Sequence, residues 1–274
     1  VYLHWFNTER FNLVFGRMQT KFVTRGGVFA KSLDRNNSNN VSVNWTDGIH
    51  ATINPQFGYG WEAHWITEYN DKEGSSSVRR APLNFSSDQS RLSHFIALEN
   101  INPVGYIVQR GIDIGYLPDS LTDGSQVNSD RRDYWGAVGR IASRFPIEDS
   151  LTIQISSEAG YAPTTPSNAT IDIDRNGNSS GMAWNVSASA IDIVPNHSFG
   201  ILYGETGGGW LLSPQYSNNE KQIEARWSWR VDNDFILDAR IRHREDLATL
   251  KAPSNNDNML DYFIRATWRF NKRR

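Results

Sequence analysis

The stretch from Asn258 to Phe270 limits the available folds more than any other. Every second residue from Leu260 gives Leu260, Tyr262, Ile264, Ala266, Trp268 and Phe270, with Asp261, Phe263, Arg265, Thr267 and Arg269 between them. A period of two places the two sets on opposite faces of one strand. One face is apolar with aromatics near its ends, and the other carries an Asp, a Thr and two Arg. In a soluble antiparallel sheet the apolar face would meet a core. In a bilayer-spanning barrel it meets lipid, and the polar face surrounds water.

The same alternation recurs upstream. Val1–Asn7 reads as the tail of a strand, Thr8–Arg10 as a tight turn, and Phe11, Leu13 and Phe15 as one face of a second strand that reaches about Phe22. Val41, Val43, Trp45, Ile49, Ala51 and Ile53 share a parity, with Asp47 as an exception. That strand exceeds the about 5 to 6 residues usual in soluble sheets. Trp61, Ala63, Trp65, Thr67 and Tyr69 follow, then Leu92, Ile96 and Leu98 with His94 out of pattern. Tyr106, Val108, Ile112, Ile114 and Tyr116 form the next face, with Arg110 on the apolar side. Further strands are marked by Trp135 to Phe145, Leu151 to Tyr161, Met182 to Ala190, Phe199 to Tyr203, Ile223 to Val231 and Phe235 to Ile241.

Tight turns fall at Thr8–Arg10, Asn54–Pro55, Asn102–Pro103, Pro146–Ser150, Pro195–Asn196 and Asp232–Asp234. Long polar loops fall at about 23–40, 71–90, 118–131, 163–179, Pro214–Asn219 and 250–257. Short and long connections therefore alternate, as they do when one rim of a barrel carries turns and the other carries loops. The expected fold is an all-β antiparallel transmembrane β-barrel forming a single domain over residues 1–274. About thirteen strands are visible. Single-chain bacterial barrels use even numbers, so at least one further strand is expected, either before Val1 or disguised in a loop, and a complete barrel of about 14–16 if the upstream part is missing.

Composition agrees. Hydrophobic residues are only 38% and mean hydropathy is −0.55, yet ten Trp, ten Tyr and thirteen Phe are present. A thin apolar belt between wet ends and around a wet interior accounts for both. No run approaches 18 apolar residues, which excludes a transmembrane helix. A formal charge of −2 gives no electrostatic case for nucleic acid. Absent cysteine removes disulfides, thiolate metal sites and cysteine nucleophiles.

In its alternating strands and connections the chain resembles a Gram-negative outer-membrane porin. The ending Ala266-Thr267-Trp268-Arg269-Phe270 resembles the aromatic-terminated assembly signal of such barrels, although Asn271-Lys272-Arg273-Arg274 follows it here. Phe15-Gly16-Arg17-Met18-Gln19-Thr20-Lys21-Phe22 is similar to the early porin strand that leads into a long loop. The subfamily is not assigned. The resemblance implies the bacterial outer membrane, passive diffusion, membrane lipid as surroundings, small polar or anionic solutes as cargo, room for a homo-oligomer and no enzymatic activity.

Parity places Arg226, Arg230, Arg240, Arg242, Arg244, Arg265 and Arg269 on the wet face of three consecutive strands. Arg140, Arg144, Glu62, Glu68 and Glu158 lie on wet faces elsewhere. A basic wall facing a more acidic one would set a transverse field favouring anionic or zwitterionic solutes; such charges also keep an interior wet and pair across strands. The loop 71–90, with Arg79, Arg80 and Asp88, is the candidate for an infolded constriction. Asp172, Asp174, Asn176 and Gly177 match the opening half of a calcium loop, but its twelfth position is Ala183 where a Glu is needed. A structural calcium there would stiffen an external loop, and no other cofactor is expected. His197-Ser198 lies on a short turn without an orienting group, which argues against a hydrolase site. His50 and His64 could share the lumen but lack a third ligand. The alternative function is a barrel that sheathes a partner protein in its bore, and a third reading is a soluble β-sandwich binder.

Overall fold

The computed structural model describes residues 2–18, 24–33, 46–54, 60–69, 82–83, 92–122, 131–147, 150–213, 215–251 and 258–269. Thirteen strands follow one another: β1 (Tyr2–Asn7), β2 (Phe11–Met18), β3 (Thr46–Ile53), β4 (Trp61–Tyr69), β5 (Leu92–Asn100), β6 (Ile107–Leu121), β7 (Arg132–Pro146), β8 (Thr152–Tyr161), β9 (Met182–Val194), β10 (His197–Thr206), β11 (Glu220–Arg230), β12 (Phe235–Asp246) and β13 (Asn258–Trp268). Each pairs antiparallel with its sequence neighbours in a single sheet ordered β1 to β13. The strand count and the alternation of short and long connections both agree with the sequence reading. Among the described residues no pairing joins β13 to β1.

Register fixes the faces, because directly paired residues project to the same side. One row runs Glu62, Glu99, Gly111, Arg140, Glu158, Asn185, Gly204, Gln222 and Arg244 from β4 to β12. An opposite row runs Trp65, Ile96, Ile114, Ala137, Tyr161 and Met182, and another runs Phe199, Trp227, Ala239 and Ile264. The apolar rows are open: Trp65 is 46% exposed, Tyr262 81% and Ile264 80%. The polar side chains of the central strands, among them Gln154, Glu158, Asn185, Ser187 and Ser189, are buried. This inverts a soluble sheet, whose exposed apolar patches rarely exceed a few hundred Å².

The exceptions to the alternation sit where a polar group can be accommodated. Arg17 Nε and Nη2 donate to the Asp47 carboxylate at 2.7 and 2.8 Å, beside the long-loop rim. His94 meets Thr67 Oγ1 at 3.0 Å and stacks near Tyr116. Arg110 lies over the Trp61 ring, 5.4 Å from its centre, at the short-turn rim. Aromatic pairs mark that same rim, including Tyr106 with Phe145, His197 with Trp229, and Phe235 with Trp268. Trp184 with Tyr203 lies toward the other.

The core lies on the polar face, here called inner, where two connections fold back. The first, residues 24–33, follows β2. The second, residues 207–213 with 215–216, joins β10 to β11. Together they bring Phe29, Leu33, Trp210, Leu211, Leu212 and Tyr216 into one apolar cluster with Leu117, Leu121, Tyr134 and Leu202 of the wall. Leu83 joins that cluster and bridges to Leu121. The wall makes room with glycines. A Cβ on Gly160 would come within 2.6 Å of the Trp210 ring, and one on Gly136 within 3.0 Å. Gly115 does the same for Phe95 and Leu212, and Gly200 for Val28 and Phe29. Tyr134 Oη donates to Gly209 O at 2.8 Å and accepts from Leu211 N at 2.8 Å, while Trp210 Nε1 donates to Leu33 O at 3.0 Å.

One carboxylate holds the first infolded segment at both ends. Glu158 accepts from Thr24 Oγ1 at 2.5 Å and from Leu33 N at 3.0 Å, and also from Asn185 Nδ2 at 2.9 Å. Between these points Arg25 N donates to Gln109 Oε1 at 2.6 Å, Ser189 Oγ donates to Gly26 O at 2.7 Å, and Lys31 Nζ meets Glu224 Oε2 at 2.7 Å. Burial lowers the Lys31 ammonium to about 8, against the opposing pull of Glu224.

Two outcomes are expected. Trp210→Ala empties the largest buried side chain of the cluster and should cost about 3–5 kcal/mol, read as a lower unfolding temperature in detergent with the barrel's gel mobility retained. Glu158→Ala leaves Thr24, the Leu33 amide and Asn185 without their acceptor. It should expose the Arg25 and Lys31 peptide bonds to trypsin, and wild-type protection in the variant would refute the tether.

Candidate functional site

Charge is distributed unevenly over the inner face. On β11 and β12, Arg226 pairs in register with Arg240, Glu224 with Arg242, and Gln222 with Arg244. Two like charges directly opposite one another repel, so carboxylates must intervene for the arginines to stay. Asp261 of β13, in register with Arg242, does this for three of them. It lies 2.8 Å from Arg240, 2.8 Å from Arg242 and 3.4 Å from Arg244. Glu224 lies between Arg226 and Lys31 of the infolded segment. Arg244 also reaches Glu220 at 3.6 Å.

The patch thus contains five cations (Lys31, Arg226, Arg240, Arg242, Arg244) and four carboxylates (Glu220, Glu224, Asp246, Asp261), an excess of one positive charge. Its guanidinium groups sit on aromatic faces. Arg240 lies 4.3 Å from the centre of the Phe263 ring, and Arg226 lies 5.3 Å from that of Phe29. Stacking holds a guanidinium plane while leaving its edge donors available. The side chains of Arg240, Arg242 and Arg244 retain 15 to 21% of their exposure. They spiral along β12 at every second residue, forming a row of donors.

Across the sheet the balance reverses. Glu62 on β4 is in register with Glu99 on β5, Glu68 is buried on the same face, and Glu99 accepts from Gln109 Nε2 at 2.5 Å. His50 and His64 meet on this wall, Nε2 to Nδ1 at 3.2 Å, with Thr52 Oγ1 within 3.4 Å of both. His64 Nε2 is 4.0 Å from Glu62.

The remaining residues singled out from sequence divide by depth. Arg140 is 4% exposed and is clamped between Asp113 and Glu158, 3.5 Å from the latter. Arg144 donates twice to Gln154 Oε1, at 2.9 and 3.1 Å. Glu158 is the tether of the infolded segment. These three face inward but hold the wall and its insert together. Arg265 pairs with Asp238 at 2.8 Å, and Arg230 and Arg269 are exposed beside the short β11–β12 turn. Arg79, Arg80 and Asp88 lie outside the described residues. Of the 71–90 loop only Pro82 and Leu83 are described, and both touch the inner end of β6.

Asp172, Asp174 and Asn176 lie in the connection between β8 and β9. The Asp172 carbonyl accepts from Lys251 N, Asp174 N donates to Thr249 O, and the Asn176 carbonyl accepts from Asn168 Nδ2. Among the described residues no group of three or more His, Asp or Glu converges as a metal site. His197 Nδ1 accepts from Trp227 Nε1 at 3.2 Å, and Ser198 Oγ accepts from Asp192 N at 3.3 Å, so both serve the short turn.

No protein-family model matches the chain, and no curated protein does. Its structure is similar to that of the outer membrane protein OprD from Pseudomonas aeruginosa, at 12% identity and a TM-score of 0.52 over 93% of this chain and 63% of that one. It is likewise similar to P. aeruginosa OpdQ, at 11% identity and a TM-score of 0.53 over 96% and 75%. A third is P. aeruginosa OpdK solved with vanillate, at 14% identity and a TM-score of 0.53 over 90% and 62%. The chain thus spans less than two thirds of the length of OprD and of OpdK. What it shares with them is the fold, and the alternation of Leu260 to Trp268 belongs to an antiparallel sheet of β-barrel type.

Proposed function

We propose that the chain forms the wall of a passive pore in a bacterial outer membrane, through which small polar solutes diffuse, with anions favoured along β11–β13. The observation that carries this reading is the row Arg240, Arg242 and Arg244 around Asp261, facing inward from a sheet whose outer side is apolar. A solute carboxylate approaching the row can replace Asp261 at one guanidinium while the next still holds it, which lowers the cost of moving from one donor to the next. The acidic residues Glu62, Glu68 and Glu99 on the other wall add a field across the path. The infolded segment 24–33 narrows the same region and contributes Lys31 and Phe29 to it. Vanillate, the molecule named with OpdK, is an aromatic carboxylate, and the stacked arginines beside Phe29 and Phe263 suit such a ligand.

The sheath reading, in which a second protein occupies the bore, has less support. The inner faces of β6 to β10 are already covered by the chain's own segments 24–33, 207–213 and 215–216.

Reversal potentials in a potassium chloride gradient across a planar bilayer test the proposal. The wild type is expected to prefer chloride. Arg240→Gln with Arg242→Gln should reduce that preference severalfold, whereas Asp261→Asn should increase it, because it removes a negative charge without removing a guanidinium. An unchanged preference in both variants removes the arginine row from the mechanism. A chain that inserts but passes no current returns the sheath to first place.

A further inference from the structure

A cavity of about 450 Å³ lies outside the inner face, beneath the connection between β8 and β9. That connection, which contains the calcium-like sequence Asp172 to Asn178, extends past β10 and β11 to the connection after β12. There it is tied by a bridge between Ile173 and Leu250, by Asp174 N to Thr249 O at 3.0 Å, and by Lys251 N to Asp172 O at 2.8 Å. Asp172 and Asn219, which both hold the segment 247–251, adopt the left-handed conformation, with φ of 62° and 58°. Asn219 also holds Ala248 through both its amide atoms. The canopy is therefore built in place, with strained backbone at its supports.

The floor of the cavity is the outer wall. Met182, Trp184 and Glu205 line it, and all three have the parity of the apolar face, Met182 at 50% exposure. Arg175, Asn176, Asn178 and Ser180 line the canopy side, and Ile173 and Leu247 close it. Trp184 is fixed by Tyr203, ring centres 5.4 Å apart, and Tyr203 Oη donates to Glu205 Oε1 at 2.6 Å. Among the described residues Arg175 makes no ion pair. An indole face, carboxamides, a carboxylate and a spare guanidinium are the set that recognises a phosphorylated sugar: the ring stacks on indole, hydroxyls pair with amides and carboxylate, and phosphate takes the guanidinium. The volume falls within the roughly 300–1,000 Å³ of small-ligand sites. Its apolar floor opens on the surface that the pore reading assigns to lipid.

We infer that this cavity holds the phosphorylated saccharide headgroup of a membrane glycolipid, with the acyl chains running down the wall past Met182. The inference rests on the lipid-facing reading of the outer wall and not on conduction. Native mass spectrometry of the full chain in detergent tests it, using a bisphosphorylated glucosamine-disaccharide lipid, phosphatidylglycerol and glucosamine 1-phosphate as separate probes. One glycolipid should remain bound per chain, held about tenfold more weakly by Arg175→Gln and by Trp184→Ala, with folding verified by unchanged gel mobility. Wild-type retention in both variants overturns the site. Equal binding of phosphatidylglycerol overturns recognition of the sugar, and equal binding of glucosamine 1-phosphate overturns the lipid as its source. Quenching of tryptophan fluorescence by brominated acyl chains in vesicles reports lipid contact of the wall separately, so failure of that contact is distinguishable from failure of the cavity.

Discussion

The structure depends on one geometric fact of the extended chain: neighbouring side chains point to opposite sides, so a single strand can serve two solvents at once. Hydrogen bonding between adjacent strands uses up the backbone donors and acceptors within the sheet, which a hydrocarbon environment requires. Leu260, Tyr262 and Ile264 can then remain outside while Asp261 gathers arginines inside. Shifting any one strand by a single residue would turn Glu158 or Arg240 to the apolar side, and the row from Glu62 to Arg244 runs unbroken from β4 to β12, with register shifts confined to strand ends.

Given that arrangement, the inner face has to solve a problem a soluble core does not have. Its charges are close together and only partly wet, so each is compensated locally. Asp261 serves three arginines, Glu224 serves Lys31 and Arg226, and Glu158 serves Arg140 and three further donors. On β6 to β9 Arg140 is buried between two carboxylates, Asp113 and Glu158, whereas on β11 to β13 positive charge is in excess. Arg140, buried in the wall, and Arg240 to Arg244, which keep part of their exposure, carry the same parity signal and differ in depth.

That difference marks how far the sequence could be read. The strands, their count, the faces and the rhythm of connections were legible, because period two survives in any sequence that has one apolar face. Arg226 and Arg240 to Arg244 fell on the inner face for the same reason. The two infolded segments were not legible, since a connection that folds inward has no period. A signal was nonetheless present: Gly115, Gly136 and Gly160 occupy inner positions on three successive strands, and Gly207-Gly208-Gly209-Trp210-Leu211-Leu212 places an apolar run where a solvated loop should be polar. Small residues facing a bulky apolar run require something to fill the space. The calcium-like motif was legible as oxygen-rich chain; that the Asp172 carbonyl and the Asp174 amide tie it to the connection after β12 was not.

The segment 24–33 is made early in the chain and finds its partners late. Lys31 meets Glu224, 193 residues on, and Leu33 meets Trp210, 177 residues on. Contacts of such separation cannot guide the first steps of folding, because loop closure must be paid in entropy before they form. The insert can seat only once β8 to β11 are in place, because Glu158, Ser189 and Glu224, which hold it, lie on those strands. Assembly of this wall therefore draws its own early residues back against strands made far later in the chain.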